Sequence, residues 1–275
     1  MAIKNILIAY NGGEASDSAV RLALQMCAKY DAHLTGILAH GASDVAKKIP
    51  YWIASSMRET MEKLTEERMI ELKGKFFTMC DKNISPDRLH WIDVKSQPDK
   101  AVSYYSRYFD IIVLGQYENL LESDELTLRP HNITRESRRP IIVAPKNYTA
   151  TSLNERAVVV WDGRKRSSRS FFDAMQMLET KKEVYILHIG TAMENTHSSE
   201  ANLVTVLERH GVKAEQHTLT LTRSIDTKIL DFCRQVDAGL LIMGSYPSSR
   251  LSEDLFGGFN VSILDRTHIP LFLSH

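Results

Sequence analysis

Leu240-Leu241-Ile242-Met243-Gly244-Ser245-Tyr246-Pro247 is an apolar run of strand character that stops on a glycine. Ser248-Ser249-Arg250-Leu251-Ser252-Glu253-Asp254-Leu255-Phe256 then carries the chain to Gly257-Gly258-Phe259, which opens a helical pattern running to about Leu264. A buried strand, a turn and a helix N-terminus together make an anion site, because the first backbone N–H groups of a helix have no partner within it. Glycines in the turn let the backbone approach a phosphate closely. The spacing matches neither the dinucleotide fingerprint G-x-G-x-x-G nor the Walker loop with its Gly-Lys-Ser/Thr ending.

Outward from this stretch, strand and helix patterns alternate along the whole chain. Ile3–Tyr10 reads as a buried strand broken by Asn11-Gly12-Gly13, and Ser16–Lys29 as a helix with Ala19, Val20, Leu22, Ala23, Met26 and Cys27 at helical spacing. His33–Ala39 is a second strand, Tyr51–Met79 a long helix, and Arg88–Val94 a third strand. Pro98–Tyr108 is helical, Asp110–Gly115 a fourth strand, and after a polar connection Arg139–Pro145 a fifth. The order then begins again, with strands at Arg156–Trp161, Glu183–Ile189, Val212–Leu221, Gly239–Met243 and Ile269–Leu273. Helices are expected at Ser167–Leu178, Leu203–His210 and Ile225–Val236.

The chain is therefore an internal repeat. Tyr10-Asn11-Gly12 matches Trp161-Asp162-Gly163, and the strand ending at Gly115 matches the one ending at Gly244, each with a tyrosine two residues on (Tyr117, Tyr246). Two units follow, 1–147 and 154–275, with a polar boundary from Lys146 to Asn154. Strand–helix alternation predicts an α/β fold: open parallel sheets with helices on both faces and right-handed crossovers. Ligands of such sheets bind beyond the carboxyl ends of the strands, where the strand order reverses.

Composition narrows the function classes. Hydrophobic residues make up 43% and charged residues 25%, the usual proportions of a globular protein. Lys+Arg and Asp+Glu are equal at 34 each, so no net basic field draws the chain to nucleic acid or to an anionic membrane. The 3 cysteines (Cys27, Cys80, Cys233) have no metal spacing, which favours free thiols in a reducing compartment. With no leader pattern and no apolar run of about 20 residues, the expected location is the cytoplasm.

The spacing around Gly244 resembles the nucleotide loop of the universal stress protein family, in which the fourth strand is followed by G-x-x-G, nine residues, and G-(S/T). Gly244, two residues, Pro247, nine residues and Gly257-Gly258 keep that register. Two positions depart from it: Pro247 stands where the second glycine belongs and offers no N–H, and Gly258 replaces the hydroxyl residue. The resemblance covers both repeats. It implies two five-stranded sheets of order 3-2-1-4-5, pairing between units through the fifth strands, and a homodimer through the terminal strands. It also implies ATP, with Mg2+, as the ligand. On this basis the nucleotide-binding residues are Trp161, Asp162, Gly163, Ile189, Met243, Gly244, Ser245, Pro247, Gly257, Gly258 and Phe259.

Each candidate has a plainer reading. Asp162 sits where the family reads the adenine–ribose end, yet Asp-Gly is also an ordinary turn signal. Arg164-Lys165-Arg166 opposes the dipole of the helix it begins, which an anion would explain, but the plainer and preferred reading is a solvated surface run. Ser248, Ser249, Ser252 and Arg250 are hydroxyls and a cation within reach of a loop ligand, or simply solvated. In the first half, Glu118, Glu122, Asp124 and Glu125 follow Gly115 and repel a phosphate, so that half is expected to be empty of ATP. The Met-rich face of the long helix (Met57, Met61, Met69, Met79) reads as cover for one sheet face. No His-Glu-x-x-His, Gly-x-Ser-x-Gly or activated cysteine is present, so neither a metal nor covalent catalysis is expected. The function implied by the resemblance is stress-linked adenine-nucleotide sensing through the second unit without turnover, slow hydrolysis aside. The competing reading is a nucleotide-free dimerisation or interaction scaffold.

Overall fold

The computed structural model describes residues 2–41, 55–118, 126–189, 202–220, 222, 224–244 and 263–274. In the first half β1 (Asn5–Ala9), β2 (His33–His40), β3 (Leu89–Lys95), β4 (Ile111–Gly115) and β5 (Ile141–Ala144) alternate with α1 (Glu14–Tyr30), α2 (Ser55–Cys80), α3 (Pro98–Tyr105) and α4 (Pro130–Glu136). The second half comprises β6 (Arg156–Trp161), α5 (Lys165–Asp173), α6 (Met175–Leu178), β7 (Glu183–Ile189) and α7 (Leu203–Arg209). It continues through β8 (Lys213–Leu219), α8 (Ile225–Gln235), β9 (Leu241–Gly244) and β10 (Leu271–Ser274).

Both halves carry the expected strand order, and they are joined edge to edge. The strands run β3-β2-β1-β4-β5-β10-β9-β6-β7-β8 in one 10-stranded sheet. Within each half every pairing is parallel, while β5 meets β10 antiparallel, with Leu271 opposite Val143 and Leu273 opposite Ile141. The pairing of fifth strands is thus made inside one chain. The two five-stranded sheets are joined through their fifth strands, as the resemblance implied, and β10 has β9 on one side and β5 on the other.

Period-two alternation explains why helices cover both faces. Ile6 and Ile8 join one buried cluster with Val20 and Ala23 of α1 and Phe76 of α2, and across the junction with Phe171 of α5 and Leu207 of α7. Leu7 and Ala9 join the other, with Val102 of α3, Ile133 of α4, and Ile229 and Cys233 of α8. The long helix lays Met69, Leu72 and Phe76 on the sheet, as expected of a cover, while Leu64 and Ile70 face solvent. Met57 and Met61 lie outside the residues whose side chains are described. Helix α4 was concealed in the polar connection: Pro130 begins it, and it buries little beyond Ile133 and Thr134. The helix expected over Ser167–Leu178 starts earlier and divides at Ala174. No helix among the described residues is long and apolar enough to cross a membrane.

Candidate functional site

The turns after β1 and β6 are built alike. Gly12 and Gly163 adopt φ of 82° and 75°, the left-handed region that glycine enters without a Cβ penalty. Asn11 Oδ1 accepts the Gly13 N–H at 3.1 Å, and Asp162 Oδ1 accepts the Arg164 N–H at 3.0 Å. Ser16 Oγ and Ser167 Oγ each lie 2.9 Å from the carbonyl three residues back, Gly13 O and Arg164 O. Ser167 Oγ is also 2.6 Å from Asp162 Oδ1. Asp162 therefore organises the start of α5, as the plainer reading of its Asp-Gly pair anticipates.

Gly115 and Gly244 end the fourth strand of each half against the first turn of a helix. A Cβ on Gly115 would lie 2.4 Å from the carbonyl carbon of Ala15, and one on Gly244 would lie 2.9 Å from that of Arg166. Both glycines are needed for strand and helix to touch, whatever ligand lies beyond them.

Six of the expected site residues come together at the carboxyl ends of β6, β7 and β9. Trp161 stands opposite His188 in the β6–β7 register, and Val159 opposite Ile242 in the β6–β9 register, so Asp162 and Gly163 emerge beside Gly244 where the strand order reverses. Their side chains differ in availability. Ile189 and Met243 are buried in the core beneath α8, and Trp161 is half-buried, edge-on to Phe171 at 6.3 Å between ring centroids. His188, buried at the end of β7 beside Trp161, was not singled out in the sequence; a histidine closing an apolar strand was its only signal. Ser245, Pro247, Gly257, Gly258 and Phe259 lie outside the described residues, as do Ser248, Ser249, Arg250 and Ser252 and the first-half carboxylates Glu122, Asp124 and Glu125.

In the first half the corresponding place is occupied by the chain itself. Glu118 Oε2 accepts the Ala15 N–H at 3.1 Å in the first turn of α1, and Lys146 Nζ lies 3.2 Å from its other oxygen. The hydrogen bond to Glu118 raises the Lys146 ammonium above its ordinary pKa. Asn11 is buried and donates to Leu126 O at 3.2 Å. Leu72 of α2 closes over Gly12, so near that a Cβ there would meet its Cδ2 at 2.2 Å. Lys75 Nζ donates to Gly12 O at 3.0 Å and to Asp17 Oδ2 at 2.7 Å. Charge in the helix starts is opposite in sign: Glu14 and Asp17 lead α1, whereas Arg164, Lys165 and Arg166 lead α5.

Gln116, the residue after Gly115, ties this region to the other half. Its Nε2 donates to Leu264 O and Thr267 O, both at 2.9 Å, and its Oε1 accepts the Lys146 N–H at 2.8 Å. All three cysteines are buried, and burial pushes each thiol up to about 12, far from the thiolate a nucleophile needs. Among the described residues no group of 3 or more His, Cys, Asp or Glu is arranged to hold a metal ion.

No protein-family model matches the chain, and no curated protein matches it in sequence. Solved structures do. A universal stress protein from Archaeoglobus fulgidus superposes with a TM-score of 0.71 at 16% identity, over 98% of this chain and 95% of its own. A protein of unknown function from Pseudomonas aeruginosa gives 0.59 at 13% identity, over 99% of this chain and 92% of its own. Identities this low carry the architecture and nothing finer. With the doubled 3-2-1-4-5 order and the antiparallel β5–β10 seam, the chain has the fold of a tandem universal stress protein.

Proposed function

We propose that the second half binds an adenine nucleotide and the first half does not, and that the chain senses this ligand rather than turning it over. The observation that carries the proposal is the contrast between two otherwise matching turns. The first is sealed by Glu118, Leu72 and Leu126. The second brings Asp162, Gly163 and Gly244 to the switch point and begins its helix with three cationic residues. Positive charge there disfavours the helix by itself and favours an anion placed at its N-terminus. The nucleotide phosphates would meet Gly257 and Gly258, and Mg2+ would arrive with them. Binding signals something only if the chain has two states of different affinity.

A second reading, a nucleotide-free scaffold, draws on Asp162, whose Oδ1 already serves the Arg164 N–H and the Ser167 hydroxyl. Mass spectrometry of the small molecules released on denaturing the purified full chain separates the two. ATP, ADP or AMP in near-stoichiometric amount supports the nucleotide reading. Absence of any nucleotide, together with no rise in melting temperature at millimolar ATP·Mg, leaves the scaffold.

A further inference from the structure

The antiparallel seam gives the chain a local twofold. Pro140-Ile141-Ile142 matches Pro270-Leu271-Phe272 in the repeat, and Ile142 lies opposite Phe272, with Ile141 opposite Leu273 and Val143 opposite Leu271 on either side. Each groove beside the seam therefore has a mate, and the two linings compare residue by residue.

The two grooves are filled differently. Along α1 the connection after β5 occupies the groove: Tyr148 is buried, its hydroxyl donates to Gln25 Oε1 at 2.7 Å, and Arg21 donates to Tyr148 O at 3.3 Å. Along α5 and α6 the mate is a cavity of about 610 Å³ that reaches the starts of β1, β4 and β5. Phe172 stands there in the place of Arg21. None of the residues assigned to the nucleotide lines this cavity.

Its carboxylates are peculiar to the open groove. Asp110, Asp173 and Glu179 line it, and their matching positions in the filled groove are Gly239, Leu22 and Ala28. The mate is therefore built without any of them. Each commits one oxygen inside the protein. Asp110 Oδ2 takes the N–H groups of Lys4 and Asn5 at 2.8 and 2.9 Å, Asp173 Oδ2 takes the Ser274 hydroxyl, and Glu179 Oε1 takes His210 Nδ1 at 2.6 Å. The second oxygen of each has no hydrogen-bond partner among the described residues.

Two guanidinium groups oppose these charges. Arg139 stands beside Asp110, two residues ahead of the Ile112–Ile141 pair of β4 and β5, and Arg169 lies 3.4 Å from Asp173. With His210 counted as neutral, three carboxylates against two guanidinium groups leave one negative charge. The rest of the wall is apolar. Phe172 is 56% exposed although it is a large aromatic, and Met175 follows it along the same side. An open phenyl face attracts a cation through its quadrupole, and a thioether wall adapts to an apolar body. We propose that this cavity is a second ligand site, separate from the nucleotide-bearing turns, for a small organic monocation: a primary ammonium group carried on an apolar body. Its ammonium meets Asp173 and Glu179, and its body lies on Phe172 and Met175.

The test uses the full chain with 13C-labelled methionine methyls and 2-phenylethylamine as probe. The Met175 methyl signal, assigned by Met175→Leu exchange, should shift saturably with a dissociation constant of roughly millimolar or tighter. Asp173→Asn and Glu179→Gln keep an acceptor oxygen for Ser274 and His210. Each should weaken binding about threefold to tenfold, the scale of one partly exposed ammonium–carboxylate pair, with melting temperatures held. Phe172→Leu should weaken it about threefold, the scale of one cation–π contact. Phenylacetate, of the same size and opposite charge, should leave the signal in place. No saturable shift up to about ten times that range, equal binding of phenylacetate, or undiminished binding in both carboxylate variants would overturn the proposal.

Discussion

Glu118 places a carboxylate oxygen 3.1 Å from the backbone N–H of Ala15, at the first turn of α1, where the fold otherwise offers an anion site. The first half therefore closes this place with a side chain of its own. It carries an anion of its own, held from the other side by Lys146 at 3.2 Å. The second half keeps the same turn and begins α5 with cations instead.

Removing that carboxylate should cost stability without opening a nucleotide site. Glu118→Gln is expected to lower unfolding free energy by about 1 kcal/mol, the usual scale of an acidic group at a helix start. Urea unfolding of the variant checks the loss, and unchanged ATP stoichiometry checks that Leu72 and Leu126 still close the turn.

The two strand-ending glycines should rank by the space they leave. Gly115→Ala puts a Cβ 2.4 Å from the backbone of Ala15, and Gly244→Ala puts one 2.9 Å from that of Arg166. We expect a loss of about 2–3 kcal/mol for the first and about 1 kcal/mol for the second, as overpacking commonly costs. A Gly244→Ala chain of unaltered stability would show that the helix yields there and that strand–helix contact does not explain the glycine.

Gln116 makes three hydrogen bonds that link the end of β4 to the second half and to the connection after β5. Gln116→Ala leaves two carbonyls and one N–H short of partners and should cost about 1–3 kcal/mol. Amide exchange should accelerate at Lys146 and near Thr267 rather than uniformly, which hydrogen-exchange mass spectrometry can read.

Lys181 provides a pH dependence. It is buried, donates to Asn154 O at 2.5 Å, and burial lowers its pKa from 10.5 to about 8. Between those values the unfolded chain holds a proton that the folded chain has released, so stability rises as pH increases from about 8 to about 10.5, and the full burial penalty applies below 8. The rise attributable to this group is on the order of 2–3 kcal/mol. It is read as the difference between native and Lys181→Met urea midpoints across that range, with the variant showing the flatter profile.

Much of the architecture was legible because strands covered on both faces are apolar throughout. Ile111-Ile112-Val113-Leu114 and Leu240-Leu241-Ile242-Met243 announce themselves and each other. Helix α4 was not legible, since seven residues burying one isoleucine leave no periodic signature. The seam was suggested only by resemblance: nothing in Ile141–Ala144 or Leu271–Ser274 says that these two will pair antiparallel. At the site, Glu118 was read as hostile to phosphate, and its partner Ala15, 103 positions earlier, could not be seen from the sequence. Gly244 was assigned to a ligand because its spacing matched, and its contact with Arg166 became visible only in three dimensions. Asp162 had both its readings open from the start, and its turn role is the one whose partners can be named.

The central claim is one nucleotide site per chain, in the second half. Isothermal titration of the full chain with ATP·Mg measures it most directly. The account predicts a stoichiometry of about one, retained in Glu118→Gln and abolished in Gly257→Val, whose bulk would block backbone approach to a phosphate. Two sites per chain, none, or undiminished binding in Gly257→Val would contradict it.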